Sequence, residues 1–468
     1  MVFNSISYAI FFPIVVILYF ALPKKFKNIH LLLASYFFYG CWNVKYAALM
    51  LLSTVITYFA AILMDSYGKK KLFLSISFVL NLGILFVFKY YGFFIDIFNR
   101  ILGGNTPTEA LFILPVGISF YTFQALGYTM DVYRGDLRAE RNFITYALFV
   151  SFFPQLVAGP IERSKNLLPQ IRNHGEYCVC NLVEGLLLIF YGLFLKLVIA
   201  DRAAIFVNTV FGSMNFTGTV MMLGALLFSI QIYCDFYSYS IMAKGSAKVM
   251  GIDLMDNFRE PFLAVSIVDF WRRWHISLST WFKDYLYIPL GGSRKGSFRH
   301  YANIMIVFLV SGLWHGANYT FLMWGLIHGI LNVCSHIISR FKNGEGTIIS
   351  RNISRLVTFV LVVLAFVFFR AKTISDAFIF IEKMFSTNGA TIADAGLNTA
   401  NLYALLVAVL ILLVVDILKY NSVDVKGRFM HAPTIFKGAI FFALIMIVVI
   451  FGIYGVGFSE SMFIYFQF

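Results

Sequence analysis

The stretch that decides the fold reads YANIMIVFLVSGLWHGANYTFLMWGLIHGILNVCSHII over residues 301–338. Apolar residues dominate on both sides of a short polar turn, and the run is long enough to enter the hydrocarbon of a bilayer and return. Ionisable groups at membrane depth are rare, and they face a protein interior or a wet cavity. His315, in the middle of this run, is therefore the first candidate for a functional side chain.

The rest of the chain has the same apolar character. Of its 468 residues, 60% are hydrophobic and only 13% are charged, whereas a soluble chain carries about 25% charged residues. Apolar runs of about 20 residues recur, and the alternating pattern of a transmembrane barrel is absent. The composition predicts an all-α polytopic membrane protein with about 10 to 12 transmembrane helices. We expect a single domain over residues 1–468, with a C-terminal tail at 459–468.

The net charge of +14 is interpreted through the membrane, because basic residues collect in cytoplasmic loops. Seven short clusters hold 29 of the 37 Lys and Arg residues. If all seven clusters are cytoplasmic, the number of crossings between them is even and both termini lie outside the cytoplasm. No nucleic-acid-binding motif is present, so we expect no nucleic-acid partner.

Several segments depart from simple crossings. Residues 29–65 are long enough for two passes with a break near Trp42 and Asn43. Residues 143–161 begin and end at basic clusters and contain prolines, which predicts a re-entrant segment covered by protein. Residues 258–292 mix aromatic and basic residues, a pattern typical of helices at the cytoplasmic interface.

Two local patterns concern processing and cysteine chemistry. The apolar run 6–22 lacks a basic start and a small-residue cleavage site, so we expect a retained first helix. An odd count of five cysteines argues against structural disulfides, and Cys178-Val179-Cys180 has the wrong spacing for zinc. We therefore expect no metal site.

The hairpin places its turn at an unusual depth. From residue 301 to residue 313 there are 13 residues, or about 20 Å of helix. That length falls short of a full crossing, so we expect the turn at His315 and Gly316 to lie within the membrane's thickness. His328, 13 residues further on, is better explained as a buried hydrogen-bonding group than as a catalyst.

His315 has neighbours that suit chemistry. Gly312 and Gly316 allow close backbone approach, Trp314 adds a flat apolar wall, and Asn318 adds an amide. A histidine in a partly dry cavity can serve as a general base. A core histidine that holds helices together is an equally good explanation from composition alone.

A second histidine, His275, lies in FWRRWHISLSTWFKDY, residues 270–285. Arg272 and Arg273 could bind a phosphorylated ligand and Trp274 could stack on a flat ring. An interfacial aromatic and basic belt is the simpler explanation of this stretch. Asp235, near the cytoplasmic end of a helix, could orient a histidine or anchor a helix, and the anchor is favoured.

The C-terminal tail ends in MFIYFQF after Ser459-Glu460-Ser461. An aromatic tail of this kind is more favourable in a groove of its own protein than in water. It could simply anchor the chain at the interface. Alternatively, Tyr465 could present a phenol oxygen to His315, because a phenol needs an adjacent base to attack well.

At these motifs the chain resembles the membrane-bound O-acyltransferases, in the branch of the alginate O-acetyltransferase membrane subunit. The similar residues run along the whole chain and are most specific at Trp314-His315-Gly316-Ala317-Asn318. The other matching stretches are residues 23–25, 32–39, 114–124, 153–161, 273–281 and 285–292.

The resemblance implies an acyltransferase with a central funnel. It implies that His315 is the catalytic histidine, that His275 belongs to a second, more cytoplasmic polar site, and that Tyr465 carries the acyl group outward. Arg272, Arg273, Trp274, Trp314, Asn318 and Asp235 are then the expected substrate-binding residues.

The same resemblance implies the substrates and partners. The donor would be acetyl-CoA or an acyl carrier protein thioester, with no permanently bound cofactor. The acceptor would be a cell-envelope or exported polysaccharide, reached through an extracytoplasmic acetyltransferase subunit of the SGNH-hydrolase type. The location would be the bacterial plasma membrane. D-alanyl transfer to teichoic acid and a non-enzymatic transporter or flippase are the alternatives, although the two repeated halves typical of transporters are absent.

Overall fold

The structure is a computed structural model that describes residues 1–104, 114–156, 159–213, 215–341, 347–386 and 392–454. Within these ranges every regular element is helical and none is a strand. The prediction of an all-α membrane protein is therefore confirmed.

Eight helical runs in the described part of the chain are long and apolar enough to cross a bilayer. They are Val44–Tyr67, Lys70–Leu102, Val179–Ser213, Gly218–Val249, Tyr319–Phe341, Ile348–Arg370, Thr399–Tyr420 and Thr434–Phe451. Two shorter apolar helical segments, Ile6–Ala21 and Phe143–Leu156, accompany them. We expected 10 to 12 spans, and eight runs in the described ranges satisfy the criteria of length and composition. The chain is a multi-pass membrane protein.

The chain forms two compact units. One contains residues 1–189 and 240–256, and the other contains residues 190–239 and 257–468. Helix Gly218–Val249 has residues in both. The expectation of a single domain stays a prediction beside this division.

The first unit is built from helices whose buried faces carry small hydroxyl residues. The Tyr8 hydroxyl lies 2.7 Å from Ser246 Oγ, and the Tyr146 hydroxyl donates to Thr57 Oγ1 at 2.7 Å. Such bonds satisfy polar groups that would be costly in an apolar interior. Its helices are Ile6–Ala21, Lys24–Gly40, Val44–Tyr67, Lys70–Leu85, Tyr91–Leu102, Ile118–Arg134, Phe143–Ser151, Phe153–Leu156, Ser164–Asn173 and the start of Val179–Leu193, with a π-helical turn at Phe86–Tyr90.

Two of the predicted interruptions occur in this unit. A helix ends at Gly40, and the next begins at Val44 with Asn43 accepting a hydrogen bond from the Lys45 amide at 2.9 Å, as expected for an N-cap. Helix Phe143–Ser151 has only nine residues, about 14 Å, which is too short to cross a bilayer. Its re-entrant placement stays a prediction.

The expectation of no structural disulfide was wrong. Cys178, which directly precedes helix Val179–Leu193, is joined by a disulfide to Cys180 in the first turn of that helix, and their Cα atoms lie 5.2 Å apart. The reasoning from an odd cysteine count overlooked that two residues on either side of one intervening position can pair locally. Cys41, Cys234 and Cys334 are free thiols.

The second unit carries both candidate histidine motifs. Its α-helices are the end of Val179–Leu193, Asp201–Ser213, the first part of Gly218–Val249, Ile267–Arg273, Ile276–Phe282, Ser297–His315, Tyr319–Phe341, Ile348–Arg370, Ile374–Met384, Thr399–Tyr420, Val425–His431 and Thr434–Phe451. Two π-helical segments, Phe194–Ala200 and Lys283–Tyr287, and two 3₁₀ turns, Pro261–Leu263 and Ile392–Ala395, complete it.

The first leg of the hairpin is longer than the sequence suggested. Helix Ser297–His315 has 19 residues, about 28 Å, instead of the 13 residues counted from position 301. The helix begins after Gly296, whose φ of 89° allows the turn, and it includes the polar residues that the hydropathy count left out. The argument that the turn lies at membrane depth because the leg is short is therefore weakened.

Candidate active site

His315 is the last residue of helix Ser297–His315, and the chain turns at Gly316, which is extended with φ −165°. The next helix begins at Tyr319, where Asn318 accepts a hydrogen bond from the Thr320 amide at 3.1 Å. The Asn318 amide also donates to the Lys372 carbonyl at 3.2 Å. Asn318 thus shapes the turn that ends beside His315.

Glycines bring the two legs of the hairpin together. A Cβ on Gly312 would stand 3.1 Å from the carbonyl carbon of Phe321, closer still to its oxygen, and 3.4 Å from the Cα of Gly325. A Cβ on Gly316 would enter the Phe321 ring. The close backbone approach predicted at Gly312 is confirmed, and Gly325 supplies the matching gap on the second leg. At Gly316 the missing side chain makes room for the Phe321 ring and not for a second backbone.

The His315 ring is enclosed by aromatic side chains. It is 4% exposed, and its centroid lies 5.0 Å from that of Trp314, 5.0 Å from that of Trp324 and 5.3 Å from that of Phe369. All three contacts are edge-to-face, the arrangement that aromatic rings prefer. The ring is therefore held in one orientation by rigid neighbours.

His275 lies in the bend between helices Ile267–Arg273 and Ile276–Phe282. Its backbone is left-handed, with φ 44° and ψ 53°, an uncommon conformation for a side chain of this size. Backbone conformations of this kind persist where the surrounding structure imposes them, and they concentrate at functional sites. The Ile276 amide donates to the Asn257 carbonyl at 2.9 Å and so holds the bend in place.

Asn257 determines the state of the His275 ring. Its Oδ1 accepts hydrogen bonds from Ser277 Oγ at 2.9 Å and from the Ser277 amide at 3.3 Å, and it lies 3.2 Å from His275 Nδ1. Because an amide oxygen only accepts, Nδ1 is the protonated nitrogen of the neutral ring and Nε2 is its acceptor. His275 lies outside the membrane-spanning runs, is completely buried, and burial lowers its pKa from 6.5 to about 3.

The fold brings the two histidines together. The centroids of His275 and His315 lie 6.3 Å apart, although 40 positions separate them in the chain. Trp314 lies 5.9 Å from His275 and 5.0 Å from His315, so that it contacts both rings. A neutral imidazole in such a buried pair can accept a proton from one reacting group and donate it to another.

The two arginines of the motif have different environments. Arg273 pairs with Asp269 at 2.9 Å and lies 3.9 Å from Glu260. Arg272 is exposed and makes no ion pair with any residue in the described ranges. Of the two, Arg272 is the one whose guanidinium is open to a ligand.

Trp274 belongs to the core. It is 1% exposed, and its ring lies 5.0 Å from Phe258, 5.4 Å from Phe270 and 5.2 Å from Phe366. These contacts fix the position of the backbone that carries His275. Its proposed role in substrate binding stays a prediction.

Asp235 is part of a buried ionic group. Lys196 Nζ lies 2.7 Å from Asp235 Oδ1 and 2.8 Å from Asp201 Oδ1, and all three side chains are at most 6% exposed. Lys196 and Asp201 are five positions apart, the spacing that the π-helical segment Phe194–Ala200 places in line. The geometry suits the anchoring role of Asp235.

His328 is fully buried and accepts a hydrogen bond from Trp271 Nε1 at 3.3 Å. The centroid of its ring lies 5.1 Å from that of Trp271 and 4.9 Å from that of Trp324. The prediction that it is a buried hydrogen-bonding group is confirmed. Tyr465 and the tail 459–468 lie outside the described residues, so that their predicted roles are not placed.

Sequence reasoning missed Asn257 and Lys196. Asn257 precedes His275 by 18 positions and lies in an irregular segment, so no periodic pattern connects the two residues. Lys196, in contrast, stands in a long apolar run, and a charge at such a position is a recognisable sign of a buried partner.

The fold and the paired histidines define a multi-pass membrane protein with a candidate site for acyl transfer. Residues 137–374 match the family described as MBOAT, membrane-bound O-acyltransferase family. The chain is 39% identical over 420 residues to the probable alginate O-acetylase AlgI of Pseudomonas aeruginosa, with 88% of this chain and 80% of that protein covered. It is 38% identical over 419 residues to a peptidoglycan O-acetyltransferase of Helicobacter pylori, with 82% and 79% covered.

A more distant similarity covers less of the chain. The teichoic acid D-alanyltransferase of Bacillus subtilis is 30% identical over 243 residues, with 48% of this chain and 60% of that protein covered. The chain belongs to the membrane-bound O-acyltransferase family, and it is an acyltransferase.

Proposed function

We propose that this protein moves an acetyl group from a cytoplasmic thioester across the bacterial plasma membrane for O-acetylation of an exported or cell-envelope polysaccharide. The observation that carries the proposal is the pair of buried rings, His275 and His315, with centroids 6.3 Å apart in one compact unit. The similarity to O-acetyltransferases, which covers 82–88% of this chain, supports the same reaction.

The chemistry assigned to His315 is general-base catalysis. A hydroxyl oxygen attacks the thioester carbonyl while His315 takes the hydroxyl proton. The new C–O bond forms as the C–S bond breaks, and the departing thiolate receives the proton from His315. His275, kept neutral by burial and oriented by Asn257, supplies an acceptor nitrogen that orients the reacting hydroxyl.

Tyr465 is the proposed first acceptor of the acetyl group. Its phenol oxygen would carry the group outward as an ester. A hydroxyl of an extracytoplasmic SGNH-hydrolase-type subunit would then attack that ester, and the phenol would regain a proton as the acetyl group leaves. The aromatic character of the tail supports its burial against the protein.

The direction of transfer follows from charge. The basic clusters, which include Arg272, belong on the cytoplasmic side, where acetyl-CoA or an acyl carrier protein thioester is found. Both termini are then extracytoplasmic, so that the tail starts on the side where the polysaccharide is acylated. The polysaccharide acceptor is favoured over teichoic acid because the D-alanyltransferase relative covers only 48% of the chain.

The test is polymer acetylation in cells that carry His315→Ala. We expect acetylation to be lost while the amount of protein in the membrane stays normal. His431→Ala is the matched control, because His431 is exposed and lies in helix Val425–His431 away from the aromatic enclosure. Full acetylation by the His315→Ala protein would refute the proposal.

The tail is tested separately with Tyr465→Phe. Loss of acetylation and of thiol release from acetyl-CoA is expected, because the phenol oxygen is the proposed attacking group. Release of thiol by the intact variant at the wild-type rate would show that another hydroxyl attacks the thioester. An active Tyr465→Phe protein would remove the acyl-tyrosine step and leave the assignment of His315 in place.

A further inference from the structure

A group of basic side chains, two arginines and two histidines, meets at the base of the hairpin, away from His275 and His315. The rings of His300 and His336 lie 5.0 Å apart, at the start of one leg and near the end of the other. Arg272 and Arg340 both lie within electrostatic range of His336. We call Arg272, His300, His336 and Arg340 the basic cluster.

Neutral hydroxyl groups hold the cluster in place. The Tyr287 hydroxyl lies 2.5 Å from His300 Nδ1, and Arg340 donates to Ser297 Oγ at 3.2 Å. The Arg340 guanidinium also lies 5.6 Å from the centre of the Tyr301 ring. Four separate elements, two helices of the hairpin, helix Ile267–Arg273 and the π-helical segment Lys283–Tyr287, thus converge on one place.

No carboxylate in the described ranges forms an ion pair with any member of the basic cluster. The adjacent Arg273 shows the contrast, since both Asp269 and Glu260 lie near its guanidinium. The two arginines of the cluster carry positive charge, and a bound anion would offset the repulsion between them. The members are half-buried or exposed, so that a ligand from solution can reach them.

We propose that the basic cluster binds the phosphate groups of a coenzyme A-type donor. This inference rests on the proposed function and names the part of the protein that recognises the donor. Arginine suits phosphate because its planar guanidinium can donate two parallel hydrogen bonds, and the imidazoles and hydroxyls provide further polar contacts. The apolar leg of the hairpin that starts at the cluster ends at His315.

A phosphate could come from a soluble donor or from a lipid headgroup, and both would bind the same basic residues. The two sources differ in what competes for the cluster. A soluble donor binds to the protein in both neutral and anionic bilayers, apart from the effect of the bilayer's surface charge on its local concentration. A lipid site is occupied only when the bilayer contains the anionic lipid.

The experiment measures equilibrium binding of coenzyme A to the purified full-length chain in phosphatidylcholine nanodiscs. Arg340→Gln combined with His336→Gln should raise the Kd for coenzyme A about tenfold or more, because one charge-assisted contact and one imidazole hydrogen bond are lost. Arg340→Lys should keep part of the affinity. Arg428→Gln, an exposed arginine of helix Val425–His431, is the control and should leave the Kd unchanged.

A second probe and a second bilayer complete the design. The wild-type chain should bind 3′-dephospho-coenzyme A more weakly than coenzyme A, and the double variant should bind the two alike or nearly so. Equal Kd values for coenzyme A in the wild-type and double-variant chains would overturn the inference. The inference would also be overturned if the double substitution changed only the thermal stability that the chain gains from phosphatidylglycerol in the nanodisc. The basic cluster would then be a lipid site.

Failure of this inference and failure of the proposed function give different results. If His315-dependent release of thiol from acetyl-CoA persists while the basic cluster has no effect on affinity, only the phosphate site is refuted. If the wild-type chain neither binds coenzyme A nor cleaves acetyl-CoA, the phosphate site is refuted. The proposed function is refuted as well if the wild-type chain also fails to release thiol from an acetylated acyl carrier protein.

Discussion

Replacing Gly312 with alanine tests whether the spacing of the hairpin legs positions His315. The new Cβ would stand 3.1 Å from the carbonyl carbon of Phe321 and closer still to its oxygen, whereas ordinary contacts begin near 3.4 Å. The neighbouring atoms belong to the backbone, so no side chain can rotate away. The two helices would have to separate by about 1 Å at the oxygen.

His315 follows Gly312 by less than one turn, so this separation shifts its ring relative to His275. A displacement of about 1 Å at reacting groups can cost roughly 100-fold in rate. We therefore expect the Gly312→Ala protein to accumulate in membranes and to release thiol from acetyl-CoA about 100-fold more slowly than wild type.

Gly438→Ala is the matched control, because nothing lies within 4 Å of a Cβ built there. Its rate should equal that of wild type. The assay follows thiol release by purified protein at saturating acetyl-CoA, with size-exclusion profiles to confirm folding. Wild-type activity in Gly312→Ala would show that the spacing of the legs does not position His315.

Three further outcomes are expected. Asn257→Ala should lower the free energy of unfolding by about 2–5 kcal/mol, since donors from His275 and Ser277 lose their acceptor, and Asn257→Asp, which keeps an acceptor oxygen, should recover part of it in thermal unfolding in detergent. Lys196→Met should cost about 3–5 kcal/mol by leaving buried carboxylates without their cation, and normal accumulation in membranes would contradict this. Burial lowers the pKa of His275 from 6.5 to about 3, so on acidification the unfolded chain binds a proton at this residue before the folded chain does. The free energy of unfolding should therefore be highest above pH 6.5 and fall by about 2 kcal/mol between pH 7 and pH 5. The fall should be smaller in His275→Gln.

Much of the fold could be predicted because the length and hydropathy of an apolar run identify a membrane helix. The break near Trp42 and the hairpin turn at His315 were found at the predicted places, since polar residues and glycine interrupt apolar runs there. The start of helix Ser297–His315 was missed because its first turn is polar. Helix Ile374–Met384 was missed as well, since its 11 residues are too few for a span.

The candidate site was only partly predictable. His315 stood out as an ionisable group beside the glycine-rich turn of an apolar run, and His275 stood out in an aromatic and basic motif. Their proximity depends on tertiary packing across 40 positions, which no local pattern contains. The partner Asn257 and the basic residues His300, His336 and Arg340 become recognisable only when separate elements meet. The Cys178–Cys180 disulfide was missed because the argument considered only the odd number of cysteines.

The π-helical segment Phe194–Ala200 makes this part of the chain intolerant of changes in length. Its wider turn aligns Lys196 with Asp201, whereas an ordinary α-helical turn would rotate positions five apart by about 500°, or 140° beyond a full circle. Deleting one residue there would turn the Lys196 ammonium group away from Asp201. It would also rotate every later side chain of the helix by about 100°. Homologous chains aligned through this region should therefore accept substitutions far more readily than single-residue gaps.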